Sequence, residues 1–375
     1  MLPRDPRPDP RSACDVLIVG AGMAGASLAA ALVACGNAGR ILMVEGERQP
    51  GYHATGRSAA FWQETYGGPG VQPLTTASGP VLAQLGMLKR RRGLTLARKG
   101  EEAALDAFIA RFSALGVAME LLPRDAIEAL VPGLREGWVA GAMEEDCCDI
   151  DVAGLHQHYL AQARKGGVEL LCDARVAGMA REGGAWHVTL ADGQALRAQV
   201  VVNAAGAWAD ELAGMAGAAP LGITPYRRTM VQARVAPAPS DDLPLVLDLG
   251  ETFYFKPESG RIWLTPHDEH PSAPCDAAPE EIDVANAIDR FEAVVDWQVE
   301  RVEHRWAGLR SFAPDRLPVY GFDPEVAGFF WCVGQGGFGI QTAPAAADLA
   351  ARLLLGLGAG GIDPEVYAPG RFLKV

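Results

Sequence analysis

The chain has 375 residues, of which 49% are hydrophobic and 21% are charged. This length and composition predict a globular protein of two domains, or one large α/β domain with an insertion. The formal net charge of −13 argues against a nucleic-acid partner, because proteins bind phosphate backbones through basic surfaces.

The seven cysteines are odd in number and form neither a CxxC pair nor a metal-ligand spacing. They indicate reduced thiols, a cytoplasmic protein and no metal site, and the pair His156 and His158 resembles no ligand set. Residues 1–13, rich in Pro, Arg and Asp, predict a disordered tail instead of a signal peptide. No uncharged run reaches the length of a transmembrane helix.

The first folded segment carries the pattern of a dinucleotide-binding site. A predicted strand at residues 16–19 meets the turn Gly20-Ala21-Gly22-Met23-Ala24-Gly25, and a helix of small residues follows at 26–33. A second strand at 41–44 ends in Glu45, which comes 20 residues after Gly25. The glycines permit a tight turn and a close approach to a pyrophosphate, which the helix N-terminus attracts. Glu45 is placed to accept hydrogen bonds from a ribose.

The remaining chain alternates between helical and strand patterns. Hydrophobic periodicity predicts helices at residues 98–115, 124–130, 154–165, 280–291 and 342–355. Strands are predicted at residues 168–172, 185–190, 200–203, 231–235, 245–249, 252–257, 261–265 and 329–333, with a loop at 267–279. The β-rich stretch between helical ends favours a discontinuous nucleotide domain with a second domain inserted into it.

Three further segments are rich in glycine or other small residues. Residues 334–339 (GQGGFG) repeat the GxGxxG pattern, but no acid-ended strand follows them. This favours a close backbone approach to a ligand over an independent second dinucleotide site, and a plain turn remains an alternative. Residues 51–60 (GYHATGRSAA) suit a loop around a cofactor or a surface turn. Residues 200–208 (VVVNAAGAW) suit a cofactor crevice at a strand end, or a buried core strand.

Three separated positions have the chemistry of an anion clamp. They are the pair Arg227-Arg228, Tyr254 and Arg310. Guanidinium groups bind carboxylates in a bidentate manner, and a tyrosine hydroxyl adds one directed bond. Each arginine taken singly is more often a surface charge.

Taken together, these segments resemble the D-amino-acid oxidase/glycine oxidase family of FAD-dependent oxidoreductases, and within it the D-arginine dehydrogenase branch. The resemblance covers nearly the whole chain after Cys14, in the segments GAGMAGAS, QPGYHATGRSAA, NAAGAWAD, RRTMV, FYFKP, WAGLRSF and GFFWCVGQGGFGIQT. It implies an α/β fold with a Rossmann-type domain that binds FAD non-covalently. We expect this domain at residues 14–80, 146–222 and 304–375. An inserted substrate domain of antiparallel sheet and helices is expected at 81–145 and 223–303.

The same resemblance implies the residues of one flavin site and one substrate site. Arg228, Tyr254 and Arg310 match the family's holders of the substrate α-carboxylate, Tyr66 matches its lid-loop tyrosine, and Gly337 matches a backbone carbonyl facing the amino group. The residues expected to contact FAD are Gly20, Ala21, Gly22, Ala24, Gly25, Glu45, Gly46, Ala54, Thr55, Gly56, Arg57, Ser58, Ala59, Ala60, Val176, Ala205, Gly206, Trp208, Gly308, Gly336, Gly337, Phe338, Gly339, Ile340 and Gln341.

The implied reaction is oxidation of a Cα–N bond by hydride transfer to flavin N5. It gives an imine that hydrolyses to a 2-oxo acid and ammonia. The substrate is expected to be a D-amino acid or a related amine, with oxygen or a quinone left open as the electron acceptor. No nucleic acid and no membrane span are expected.

The chain departs from D-arginine dehydrogenase where the substrate side chain would lie. Gly93 stands at the place of the carboxylate that grips the guanidinium, and Phe61 and Gln63 replace a histidine and a threonine. Gln341 completes the expected pocket. A buried guanidinium without a carboxylate partner is strongly disfavoured. We therefore expect a neutral or aromatic side chain, or a cyclic or N-substituted amine, in preference to D-Arg.

The basic run Lys89-Arg90-Arg91-Arg92 has two interpretations, an attraction for an acidic substrate group and a solvated basic loop. The second is favoured. Two other functions also remain open on the sequence. One is oxidation of a 2-hydroxy acid by the same fold and clamp, and the other is a flavoprotein subunit or sensor without independent turnover.

Overall fold

The computed structural model describes residues 13–36 and 38–372. The disordered tail expected at residues 1–13 therefore lies outside the described residues, apart from Ala13. The chain divides into two compact units. The first contains the described residues up to Gly56, together with Ala153–Thr224 and the chain from Ser311 onward. The second contains Arg57–Val152 and Pro225–Arg310.

The described residues form single strands and runs of consecutive strands, separated by helices. In chain order the strands are β1 (Ala13–Val19), β2 (Ile41–Val44), β3 (Phe61–Trp62), β4 (Leu88–Arg90), β5 (Gly93–Arg98), β6 (Glu120–Pro123), β7 (Trp138–Glu144), β8 (Cys148–Ile150), β9 (Glu169–Leu171), β10 (Val176–Glu182), β11 (Ala185–Leu190), β12 (Ala195–Asn203), β13 (Thr224–Ala236), β14 (Leu245–Asp248), β15 (Tyr254–Glu258), β16 (Arg261–Thr265), β17 (His270–Pro271), β18 (Gln298–Phe312), β19 (Val319–Phe322), β20 (Phe329–Val333) and β21 (Gln335–Gly336).

The α-helices are, in chain order, α1 (Met23–Cys35), α2 (Gln72–Gln84), α3 (Glu102–Ser113), α4 (Arg124–Leu130), α5 (Val152–Lys165), α6 (Ala209–Ala216), α7 (Glu281–Glu292) and α8 (Ala343–Leu355). Short 3₁₀ turns occupy Gly206–Trp208, Glu365–Tyr367 and Pro369–Phe372. Within the described ranges, no helix combines the length and the apolar character that crossing a membrane requires.

The first unit is built on a parallel sheet. Its parallel strands lie in the order β9, β2, β1, β12 and β20. Antiparallel strands extend the sheet beyond β12, where β11 pairs with the first half of β12, β10 pairs with β11, and β19 pairs with β20. Strands β1 and β2 are apolar and largely buried, as expected where helices cover a parallel sheet. Helix α1 packs against α8. The carboxyl ends of β1 and β12 therefore lie side by side, which is where open α/β sheets bind ligands.

The second unit is built on a long, mainly antiparallel sheet. Its strands follow the order β18, β13, β16, β15, β14, β5, β7 and β6, with β14 and β5 running parallel. Helix α7 packs on β16, while α3 and α4 pack on β7. The core between them is apolar and includes Phe255, Phe291 and Trp297. A separate three-stranded sheet joins β3, β8 and β4.

Most of the predicted elements occur in the structure. Predicted strands at 185–190, 261–265 and 329–333 match β11, β16 and β20, and the helix at 124–130 matches α4. The unit boundaries differ from the expected domain limits. Residues 57–80, 146–152 and 304–310 were expected in the cofactor domain, and they belong to the second unit.

Candidate functional site

The turn after β1 has a backbone that requires glycine. Gly20 has φ +107°, and a Cβ there would lie 2.3 Å from the carbonyl oxygen of Ala204. A Cβ on Gly25 would lie 1.9 Å from the carbonyl oxygen of Gly20. The glycines therefore let strand, turn and helix α1 approach more closely than any side chain allows.

The N-terminus of α1 is held by groups from two later segments. The N–H of Met23 donates to Thr55 Oγ1 at 2.9 Å, and the N–H of Ala21 donates to Glu45 Oε2 at 2.8 Å. Glu45 Oε1 accepts a further bond from the N–H of Glu47 at 3.0 Å. Glu45 thus lies at the turn, where its predicted contact with a ribose requires it, and its carboxylate also braces the turn.

The end of β12 adds small residues beside this turn. The N–H of Ala204 donates to the carbonyl of Val19 at 2.9 Å, and the N–H of Ala205 donates to Asn203 Oδ1 at 3.2 Å. The ring of Trp208 lies 4.7 Å from that of His53 between centroids. The segments 51–56 and 200–208, which carry predicted cofactor residues of this unit, therefore lie close together beside the turn.

Residues 334–339, the GQGGFG segment, form a packed turn that leads into α8. A Cβ on Gly336 would lie 2.2 Å from the ring of Phe312, whose ring contacts that of Phe338 in an edge-on arrangement at 5.9 Å. Thr342 precedes α8 and bonds the carbonyl of Phe338 through both its N–H and its hydroxyl. After α8 only 3₁₀ turns follow among the described residues, so the βαβ unit of a second dinucleotide site is not completed.

The groups around the glycine-rich turn of the first unit fit FAD. The turn that a Cβ would fill, the N-terminus of α1 and the carboxylate at the end of β2 are what a dinucleotide requires. The predicted flavin-contacting residues Arg57–Ala60 and Gly308 belong to the second unit. There Arg57 donates to the carbonyls of Ala277 and Ala307 at 2.9 and 3.1 Å and pairs with Asp276, so this loop is firmly held.

The second unit contains a buried arginine that lacks part of its hydrogen bonding. Arg228, on β13, is 6% exposed. Its Nε donates to the carbonyl of Asp268 at 2.9 Å, and Nη2 donates to Glu269 Oε1 at 3.1 Å. Its Nη1 is buried and has no hydrogen-bond partner among the described residues. Burial, and then the neighbouring Arg310 cation, lowers the pKa of Arg228 to about 10.

Arg310 and the two predicted tyrosines lie in the same region. Arg310, near the end of β18, donates through Nη2 to the hydroxyl of Tyr66 at 2.8 Å, across 244 positions of sequence. Tyr254, at the start of β15, is buried, and burial raises the pKa of its hydroxyl. The Phe61 ring contacts both tyrosines, with centroids 4.8 Å from Tyr66 and 5.5 Å from Tyr254. The unit thus brings together two cations and three aromatic rings.

Two residues beside the clamp were missed by the sequence analysis. Glu269 Oε1 lies 3.1 Å from Arg228 Nη2 and 3.9 Å from Arg310 Nη1, so one carboxylate faces both guanidiniums. His267 Nε2 lies 3.5 Å from the Tyr66 hydroxyl, and its Nδ1 lies 2.6 Å from the carbonyl of Glu251. Burial and then the two arginines hold the pKa of His267 well below its usual range. Both residues stand in a loop without periodicity, which gave no signal.

The position of the missing acid is filled by an amide. A Cβ on Gly93 would lie 2.9 Å from Gln63 Nε2 and 3.2 Å from Cys147 Cβ. Opposite Gly93 in register stands Glu144, also missed from sequence, which is buried. Glu144 accepts bonds from the N–H of Glu64 at 2.6 Å and the hydroxyl of Thr65 at 2.8 Å. Burial raises the pKa of Glu144 to about 7.

The other basic candidates serve structure. Arg227 pairs with Glu280 and Asp283 of the α7 region, because adjacent residues on a strand face opposite sides. In the basic run, Arg91 is buried and its Nε donates to Asp149 at 2.8 Å. Lys89 and Arg90 are exposed. The run is therefore not the solvated basic loop that its charge pattern favours, because Lys89 and Arg90 lie on β4 and Arg91 is buried.

Gly337 and Gln341 belong to the first unit, whereas the clamp residues and Phe61, Gln63 and Gly93 belong to the second. The structure brings the clamp residues, Phe61, Gln63 and Gly93 together within the second unit. Gln341 is buried.

Comparison with known proteins identifies the family. The family model for FAD dependent oxidoreductases (DAO) matches residues 15–353. Hydrogen cyanide synthase subunit HcnC of Pseudomonas aeruginosa is 28% identical over 257 residues, which cover 66% of this chain and 58% of the relative. Glycine oxidase of the same organism is 28% identical over 252 residues, covering 66% of this chain and 67% of the relative. The match thus spans little more than half the length of HcnC.

Solved structures share the fold over the whole chain. L-proline dehydrogenase from P. horikoshii aligns with a TM-score of 0.84 and 21% identity, covering 98% of both chains. Glycine oxidase from Geobacillus kaustophilus aligns with a TM-score of 0.84 and 22% identity, covering 97% of this chain and 100% of the other. With the match over residues 15–353, the chain therefore belongs to the DAO family of FAD-dependent oxidoreductases, and its cofactor is non-covalent FAD.

Proposed function

We propose that this protein oxidises the Cα–N bond of an amino acid or related amine that carries a free carboxylate. The observation that carries the proposal is the buried Arg228, whose Nη1 lacks a hydrogen-bond partner among the described residues. A buried guanidinium with an unsatisfied donor is costly unless an anion completes its bonding. Arg310 lies beside it, so the single carboxylate of Glu269 faces two cations, and a second carboxylate from the substrate would balance their charge.

The chain's residues have distinct tasks in this reaction. Arg228 and Arg310 bind the substrate carboxylate, and Tyr254 and Tyr66 line the same place with their hydroxyls. Fixing the carboxylate limits the directions that the Cα–H bond can take, and such positioning supplies much of the catalysis. Bound FAD supplies the acceptor for the two electrons removed. Loss of a hydride from Cα and a proton from nitrogen leaves an imine, which water converts to a 2-oxo acid and ammonia.

His267 fits this arrangement as a neutral group. A carbonyl can only accept, so Nδ1 carries the hydrogen that the Glu251 carbonyl accepts, and Nε2 is an acceptor facing Tyr66. The Tyr66 hydroxyl accepts from Arg310 and directs its own hydrogen toward His267. His267 therefore helps to orient the tyrosine without adding a third positive charge to the clamp.

We further propose a substrate with a neutral side chain, and we take the D-configuration from the family resemblance alone. Phe61 and the two tyrosines offer aromatic surface, and Gln63 occupies the space beside Gly93. The carboxylate of Glu144 is already engaged by Glu64 and Thr65 and is 2% exposed. A substrate guanidinium would thus lack a carboxylate partner.

Anaerobic reduction of the bound flavin tests both proposals. The panel contains D-Phe, D-Met, D-Leu, D-Glu and D-Arg, their L-forms, N-methyl amino acids and 2-hydroxy acids. We expect a neutral D-amino acid to bleach the flavin fastest and to release one ammonia per flavin reduced. D-Arg as the clear winner would refute the side-chain proposal, and bleaching by hydroxy acids alone would replace the amine with an alcohol. Failure of every amine would refute the proposed function.

A further inference from the structure

Ala21, the second residue of the glycine-rich turn, is held on both sides. Its N–H donates to Glu45 Oε2 at 2.8 Å, and its carbonyl oxygen lies 2.9 Å from His156 Nε2. His156 stands on α5, 135 positions further along the chain, and is 5% exposed. A buried side chain thus reaches from a separate helix to the backbone of the cofactor turn.

The tautomer of this histidine follows from its partner. A carbonyl oxygen accepts only, so Nε2 carries the hydrogen and donates it to Ala21. The Cε1–Nδ1 edge of the ring lies against the backbone of Gly51, where a Cβ would meet Cε1 at 2.8 Å and Nδ1 at 3.0 Å. Burial lowers the pKa of His156, which favours the neutral ring that this bond needs. The ring is therefore clamped between two backbone segments of the first unit.

The hydrogen bond between His156 and Ala21 fixes the direction of the N–H of Gly22. The carbonyl of Ala21 and the N–H of Gly22 belong to one planar trans peptide, so they point in opposite directions. Holding the carbonyl on His156 turns the Gly22 N–H away from α5. Gly22 is the residue before α1, where N–H groups without intrahelical partners and the helix dipole attract phosphate.

We propose that His156 is a positioning residue for the diphosphate of FAD, acting through the Ala21–Gly22 peptide. His158, two residues along the same helix, provides the contrast. Its ring contacts that of Tyr159 edge-on, at 5.8 Å between centroids, and among the described residues no hydrogen bond joins it to the cofactor turn. The two histidines, although two residues apart on one helix, therefore have different surroundings.

The test compares substitutions of His156 whose side chains place an N–H donor where either Nε2 or Nδ1 of the imidazole lay. A glutamine amide nitrogen takes the place of Nε2, whereas an asparagine amide nitrogen takes the place of Nδ1. We expect His156→Asn and His156→Leu to raise the Kd for FAD about tenfold, the usual effect of losing one buried hydrogen bond. His156→Gln and the matched control His158→Gln should stay within about twofold of the unmodified protein.

The measurements are FAD binding and ADP binding to the deflavinated full chain, since ADP carries the diphosphate without the flavin. The two dissociation constants should rise by the same factor in His156→Asn. The proposal is overturned if His156→Asn and His156→Leu keep normal FAD affinity. It is also overturned if His156→Gln loses as much as His156→Asn, or if only FAD and not ADP is affected. Because no turnover is measured, the outcome is independent of which substrate the enzyme oxidises.

Discussion

Arg228 and Arg310 are the residues on which the proposed chemistry depends. Replacing Arg310 with alanine removes a charge-assisted partner of the substrate carboxylate and the donor to Tyr66. We expect Arg310→Ala to lower kcat/KM about a hundredfold or more, with KM raised and FAD still bound. Steady-state kinetics and the flavin spectrum measure this. Arg305→Ala, on the same strand but exposed and paired with Glu281, is the control that should remain near normal. Near-normal turnover in Arg310→Ala would refute the clamp.

Glu269 competes with the substrate for the same guanidiniums. Its Oε1 already faces Arg228 and Arg310, so a substrate carboxylate has to displace it or share the two cations with it. We predict that Glu269→Gln lowers KM severalfold with little change in kcat, because one negative charge leaves the clamp. Glu280→Gln, which removes the partner of the neighbouring Arg227, is the matched control. A raised KM in Glu269→Gln would mean that Glu269 supports the clamp instead.

The raised pKa of the buried Glu144 makes the free energy of unfolding depend on pH. Its folded pKa of about 7 lies above the ordinary 4.5, so the folded state binds more protons than the unfolded state between these values. This contribution to stability is complete below about pH 4.5 and is lost as pH rises through about 7. The slope is about 1.4 kcal/mol per pH unit inside that window.

Glu144→Gln should therefore become more stable relative to the unmodified protein as pH rises from 5 to 7, and level off above. Urea unfolding at each pH measures the difference. Glu145→Gln, an exposed neighbour paired with Arg90, should show no such trend. A difference that does not vary with pH would show that Glu144 is not protonated by burial.

At the scale of the elements, strand β5 begins at Gly93, and the side chains of Gln63 and Cys147 lie close to its backbone. Ala or Glu at position 93 would push against Gln63 and Cys147, at 2.9 and 3.2 Å from the new Cβ. We predict that Gly93→Ala costs about 1–3 kcal/mol of unfolding free energy. Gly93→Glu should gain no activity on D-Arg. Gly178→Ala, at a strand position with nothing within 4 Å of the new Cβ, is the matched control for stability. Efficient oxidation of D-Arg by Gly93→Glu would contradict this account.

The elements that sequence reasoning found are those with a strong local pattern. β16 and β20 are short apolar runs bounded by turns, and α4 follows a proline. Helix α2 was missed because it contains Pro80, Gly79 and two adjacent threonines, which are poor helix formers. Strand β18 was missed because its first half is exposed and charged, so its pairing with other strands, not its own periodicity, makes it a strand.

At the scale of the whole molecule, the sequence identified the cofactor and the family more readily than the division of the chain. The fingerprint is local, since Gly20, Gly25 and Glu45 fall within one βαβ unit. The boundary of the compact units at Gly56 comes without a change of composition, so the sequence gives no reason to separate residues 57–80 from the segment before them. Glu144, Glu269 and His267 depend on contacts between distant segments, which no local pattern records.

The central claim is that the buried Arg228 and the partly buried Arg310 together bind the carboxylate of an amine substrate. Anaerobic stopped-flow reduction of the bound flavin by the best amino acid, compared with the same amine lacking its carboxylate, tests it most directly. We predict saturable reduction with one ammonia released per flavin for the amino acid. For the decarboxylated amine we predict a second-order rate constant at least about a hundredfold lower. Equal rate constants for the two compounds would contradict the account.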